Sequence, residues 1–252
     1  MTLSTLNFHA ASLGMQTRVN VLLPDHPATA NVLLLLHGHS DDENAWLQRS
    51  RVLAYADGQN TVVIMPRVDR SFYADQPSGI HYYQYVSEEL LVRCRDWFNL
   101  ALDPARTFVG GLSMGGYGAL KLGLNHPEQF AGIYAMSSVP DLLARWDREN
   151  DPTIGPLFDA NFGSREQLRG SVSDVPFLTT HWQAPRRPFI RMRCGTEDGL
   201  YPDNRAYADL ASRSGFDCTL TSVPGTHEWA VWDQGVAAAL ADIAARDAAA
   251  GS

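Results

Sequence analysis

The chain has 252 residues, 45% of them hydrophobic, enough to bury one core of α/β size. Its 28 acidic residues against 20 basic ones leave a formal charge of −8, which repels nucleic-acid phosphates and anionic headgroups, so neither nucleic acid nor membrane is an expected partner. The three cysteines, Cys94, Cys194 and Cys218, are widely spaced and form no CxxC pair, which speaks against a disulfide framework or a structural zinc site and for a reducing, cytoplasmic setting.

The opening stretch MTLSTLNFHAASLG has no basic start followed by an apolar run, and the longest aliphatic block, Val32–Leu36, is too short to span a bilayer. STLNFHA and then Thr17–Pro24 alternate loosely and read as two antiparallel strands at a sheet edge. NVLLLL, apolar from Val32 to Leu36, has the pattern of a strand covered on both faces in a parallel sheet. Further runs predict strands at Thr61–Met65, Thr107–Gly111, Phe130–Ser137, Phe189–Gly195 and Cys218–Val223. Helical stripes separate them, with Val86, Leu90, Cys94 and Trp97 on one face and Trp232, Val236, Leu240 and Ile243 on another. The alternation predicts a wound, mostly parallel α/β sheet with helices on both faces. Six prolines break the rhythm between Pro140 and Pro188, where a cap-like insertion at about 140–188 is expected within a single domain covering 1–252.

Gly111-Leu112-Ser113-Met114-Gly115 is a G-x-S-x-G placed after an apolar strand and before an apolar helix, the context of a nucleophile elbow. Gly111, Gly115 and Gly116 supply the clearance that so tight a turn needs. The turn aims the first amides of the next helix at the serine, so the Met114 N–H is a candidate oxyanion donor.

A serine hydroxyl becomes a useful nucleophile when a histidine takes its proton and an acid fixes that histidine's tautomer. Both partners follow the serine in this chain order, each on a loop after a later strand. Of His126, His181 and His227, only His227 stands after the last strand and before the final helix, so it is the expected base. In FIRMRCGTEDGLYPDN, Asp198 at the loop apex is the expected acid, with Glu197 as its rival and Asp203 read as a helix N-terminal residue.

HGHSDD, His37 to Asp42, nearly spells the HxHxDH signature of two-metal hydrolases, yet its last histidine is replaced by Asp42 and no matching set of ligands recurs downstream. A metal-dependent hydrolase is therefore the minor reading, and no metal or cofactor is expected. Following the first buried strand, the loop is instead placed to donate a second oxyanion amide, from His39 or its neighbour, with His37 as a pin for the loop and the His39 imidazole incidental.

LLLLHGHSDDENAW, VVIMPRVDRSFYAD, YYQYVSEEL, FVGGLSMGGYGALKLGL, CGTEDGLYPDN and GTHEW together resemble, in order, the "Putative esterase" family that includes tributyrin esterases, S-formylglutathione hydrolases, feruloyl and acetyl-xylan esterases and mycolyltransferases. The similarity runs from about Asn31 to Trp232 and is strongest to the tributyrin esterase branch. The resemblance implies an α/β-hydrolase fold and hydrolysis of a small-molecule carboxylic ester by Ser113, Asp198 and His227. It also carries DRSFYAD to the active-site mouth, with Tyr73 as a pocket residue or else an aromatic packed beneath the insertion. His39 stands where relatives often have glycine. Phe72, Tyr73, Tyr82, Tyr83 and Trp229 near the mouth favour short acyl chains. An S-formylglutathione hydrolase is the close alternative, an acyltransferase the next, and a non-catalytic module on the same fold is disfavoured by the complete triad. Self-association into a homo-oligomer is left open.

Overall fold

The computed structural model describes residues 1–148 and 154–250. The apolar runs fold as β1 (Thr2–Ala10), β2 (Met15–Leu23), β3 (Asn31–Leu36), β4 (Thr61–Pro66), β5 (Thr107–Leu112), β6 (Gly132–Met136), β7 (Phe189–Gly195) and β8 (Cys218–Val223). They form one sheet in the order β1-β2-β4-β3-β5-β6-β7-β8. The β1–β2 and β2–β4 pairs are antiparallel and the remaining pairs parallel.

Every residue of β3, β4, β5 and β6 is buried because both faces of the sheet are covered. Strand periodicity divides these side chains between two cores. Val32, Leu34, Leu36, Val62 and Ile64 enter one, while Leu33, Leu35, Val63 and Met65 enter the other. Fully burying each such side chain contributes about 1.5–3 kcal/mol. The helix Trp229–Ala250 closes the second core with Trp232, Val236, Leu240 and Ile243, the stripe expected from the sequence. On the first face, Val86, Leu90 and Cys94 are buried, but Trp97 is 37% exposed and packs edge-on against Phe8 at 4.9 Å. A π-helical turn at Tyr85–Glu89 leads into the helix Leu90–Phe98, in whose last turn Trp97 stands.

From β3 the chain moves to β4 on one side and then to β5 on the other, so the strand order reverses between β3 and β5. A crevice opens beyond the carboxyl ends of the strands at such a point. The helix Met114–Asn125 starts there and crosses the sheet at very close range. A Cβ on Gly115 would lie 2.5 Å from the Leu36 carbonyl oxygen and 2.6 Å from that of His37.

Between β6 and β7 the chain forms the helices Leu142–Arg148, Ile154–Phe162, Arg165–Leu168 and Val175–Thr180. This is the segment expected as an insertion, and its residues 149–153 lie outside the described residues. Its buried Asn161 donates to the Arg70 carbonyl at 3.0 Å and accepts from Gln76 at 2.7 Å, which ties the segment to the loop after β4. Among the described residues, no helix is long and apolar enough to cross a membrane.

Because backbone oxygens cannot yield as a side chain does, Gly115→Ala is expected to cost about 1–3 kcal/mol and lower Tm by several degrees. Scanning calorimetry checks this, and an unchanged Tm would show that helix and sheet can separate freely.

Candidate active site

Ser113 joins β5 to the helix Met114–Asn125 with φ 51° and ψ −116°, a left-handed conformation that costs a non-glycine residue about 1–3 kcal/mol. The surroundings hold it there. Its N–H donates to the Met136 carbonyl of β6 at 2.8 Å, and the Tyr117 N–H donates to the Ser113 carbonyl at 3.1 Å.

His227 Nε2 lies 3.0 Å from Ser113 Oγ, and His227 Nδ1 lies 2.8 Å from Asp198 Oδ2. The Asp198 carboxylate accepts the Nδ1 proton, which leaves the Nε2 lone pair facing the serine hydroxyl. Residues 114 and 29 positions apart in sequence are thus joined in one relay. Asp198 Oδ1 also accepts from the Leu200 N–H at 2.9 Å. Burial raises this carboxyl's pKa, but the bonds from His227 and Leu200 outweigh it and hold the group below the ordinary carboxylate range. The imidazole is braced by the edge of Trp232 at 4.8 Å.

Glu197, the rival acid, faces elsewhere and accepts the Gly225 N–H at 2.6 Å, pinning the loop that carries His227. Asp203 lies in the first turn of the helix Tyr201–Arg213, as its helix-terminal reading required.

The loop after β3 forms the opposite wall. Gly38 N–H donates to Asp41 Oδ2 at 3.1 Å. The buried His37 ring contacts the Gly38 carbonyl through Nδ1 at 2.7 Å and accepts the Val68 N–H at Nε2, 3.1 Å away, so it bridges the loops after β3 and β4. Burial lowers its pKa and favours the neutral ring that this pairing needs. Both its ring nitrogens are committed to the backbone, and among the described residues no three His, Cys, Asp or Glu side chains converge as a metal-binding group. Met114 opens the helix behind Ser113, where the first N–H groups lack intrahelical partners, and His39 lines the cavity beside the serine.

That cavity measures about 840 Å³. Its apolar lining includes Phe72, Val139, Ile154, Phe158, Leu200 and Trp229, and its charged lining Asp41, Arg49, Arg145 and Glu228. Tyr73 does not line it. The ring is fully buried and its hydroxyl donates to the His37 carbonyl at 2.8 Å, so its role is to support the loop from beneath. Positive φ values at Phe72 (49°) and Tyr73 (52°) turn the chain so that Phe72, not Tyr73, meets the cavity. Tyr82 and Tyr83 also lie away from it, bonded to Asp69 and His126 respectively. The segment after β6 supplies Val139, Arg145, Ile154 and Phe158, and no local motif in the sequence marked these as wall residues.

A serine on this strained turn, at the switch point of an open, mostly parallel sheet, defines the protein as an α/β-hydrolase. Residues 10–243 match the model of the "Putative esterase" family, and the chain belongs to that family. It is 30% identical to an acetyl esterase of Caldicellulosiruptor saccharolyticus, over 95% of this chain and 97% of that protein. Among solved structures it is similar to FphF, a fluorophosphonate-binding serine hydrolase of Staphylococcus aureus, with a TM-score of 0.87 and 29% identity over 96% of this chain and 98% of that one. The S-formylglutathione hydrolase FrmB of Staphylococcus aureus gives a TM-score of 0.85 and 30% identity over the same shares. The protein is a serine carboxylic ester hydrolase.

A carboxyl held below its unfolded pKa stabilises the fold above about pH 4, and that contribution fades as the pH falls through the folded value. Asp198→Asn is therefore expected to be less stable than the parent at pH 7, with the gap narrowing from pH 5 toward pH 3. Urea denaturation across that range measures it, and a gap independent of pH would contradict the assignment.

Proposed function

We propose that the protein hydrolyses short-chain acyl esters of small alcohols through a Ser113–His227–Asp198 triad and an acyl-enzyme. The relay of 3.0 Å and 2.8 Å carries this reading. Ser113 Oγ attacks the ester carbonyl as His227 Nε2 takes its proton, and Asp198 steadies the imidazolium. The Met114 N–H and the His39 N–H stabilise the oxyanion. His227 returns the proton to the departing alkoxide, and water then repeats the sequence on the acyl-serine, with no cofactor required.

The cavity wall supports the chain-length preference. Phe72 and Phe158 meet edge to face at 5.1 Å and close its apolar side. The same cavity is also lined by the charged Asp41, Arg49, Arg145 and Glu228, beside which a long acyl chain is poorly accommodated.

Resemblance to FrmB favours a second reading, hydrolysis of a thioester such as S-formylglutathione by the same residues with a thiolate as leaving group. Assay of that thioester beside simple esters separates the two.

Ser113→Ala is expected to abolish hydrolysis of p-nitrophenyl acetate and butyrate without altering circular dichroism. Retained turnover would place the nucleophile elsewhere. Asp198→Asn is expected to lose about four orders of magnitude in kcat, because the amide favours the wrong imidazole tautomer. Butyrate esters are expected to outpace palmitate esters in kcat/KM, and the reverse order would refute the short-chain reading.

A further inference from the structure

His39 lines the cavity beside Ser113, and its imidazole is not free to choose its form. Arg70 Nε donates to His39 Nε2 at 2.9 Å. A guanidinium only donates, so Nε2 supplies a lone pair and the ring proton resides on Nδ1. Phe72 lies across the ring at 5.8 Å between centroids. Charging the imidazole would place two cations in contact and bury one of them in part. Desolvation and Arg70 accordingly lower its pKa, and Asp41, the one carboxylate acting on it, only partly opposes them.

We infer that the His39 side chain is a specificity-determining residue, locked by Arg70 as a neutral Nδ1–H donor that recognises an uncharged oxygen acceptor on the ester. The inference rests on the Ser113 mechanism proposed above. Its backbone N–H and its ring act on different atoms: the amide serves the oxyanion, while the ring addresses an ether, hydroxyl or carbonyl oxygen in the acyl or alcohol portion. A neutral donor suits such an oxygen because the ring gains a hydrogen bond without burying a charge. Glycine in this position would keep the amide and lose the recognition.

Two isosteric substrate pairs test this, each differing by one oxygen in place of a methylene. On the alcohol side the pair is 2-methoxyethyl acetate and butyl acetate. On the acyl side it is p-nitrophenyl methoxyacetate and p-nitrophenyl butyrate. Comparing parent with His39→Leu removes intrinsic reactivity from each ratio. In at least one pair the variant is expected to lower the kcat/KM ratio of oxygen-bearing to plain ester by roughly three- to tenfold, the worth of one neutral hydrogen bond. The pair that responds identifies which side of the ester the ring meets, and unchanged ratios in both pairs would overturn the inference.

Arg70→Met provides a second readout if His39→Leu does not fold. Freed of Arg70 and still facing Asp41, the ring is expected to titrate at higher pH. An additional acid-side ionisation then appears in the pH profile of the ratio for the responsive pair. A profile identical to the parent's would show that Arg70 does not set the state of the ring. Ser113→Ala on the same substrates separates the two levels, since retained activity there defeats the mechanism, whereas unchanged ratios with an inactive Ser113→Ala defeat only the role of His39.

Discussion

The bond between His227 Nδ1 and Asp198 Oδ2 is the interaction on which the site depends, since without it the Nε2 lone pair has no reason to face Ser113. Sheet order makes it short. Asp198 follows β7 and His227 follows β8, and these strands are parallel neighbours whose carboxyl ends lie side by side. Ser113 follows β5, so its hydroxyl reaches the same edge of the sheet only because β6 and β7 carry the surface across to it. Smaller contacts then remove slack: Glu197 clasps Gly225, Leu200 N–H holds the second Asp198 oxygen, and Trp232 backs the imidazole.

A separate buried network builds the opposite wall. His37 links the loop after β3 to Val68, the Tyr73 hydroxyl supports the His37 carbonyl, and Lys121 donates to the Tyr73 carbonyl at 2.8 Å and to Ser173 Oγ at 2.9 Å. Lys121 is a fully buried amine on the nucleophile helix, and burial pushes its pKa down to about 7 against the weaker pull of Asp75. A buried polar group of this kind is held by hydrogen bonds. Here they fasten the helix behind Ser113 to the loop that supports His37 and to the segment between β6 and β7. One buried network therefore joins the loop after β3, the helix behind Ser113 and that segment.

Legibility in the sequence followed the range of the forces involved. Strands and their burial were readable because hydrophobic runs are local and a parallel sheet covered on both faces leaves few polar positions in its central strands, here Asn31, Thr61 and Thr107 at their starts. Ser113 was readable because a strained turn demands small residues two positions to either side, Gly111 and Gly115. Chain order pointed to His227 and Asp198 once the serine was placed, and the three side chains meet in space. The helical pattern gave the face of Trp97 but not how far neighbours would cover it, and for Tyr73 the sequence left both the pocket and the packed reading open, of which the structure, with successive positive φ values at Phe72 and Tyr73, has the packed one.

What the sequence determined alone is the set of chemically competent residues and the order in which strands deliver them, since both follow from local pattern. The tertiary structure set Asp198 and not Glu197 against His227, made Phe72 and not Tyr73 part of the cavity, brought Arg70 to His39 and recruited Val139, Ile154 and Phe158 to the wall. These outcomes turn on directions and distances of a few ångströms between segments far apart in the chain. No local signal encodes them, because each is set by how two separately formed elements pack.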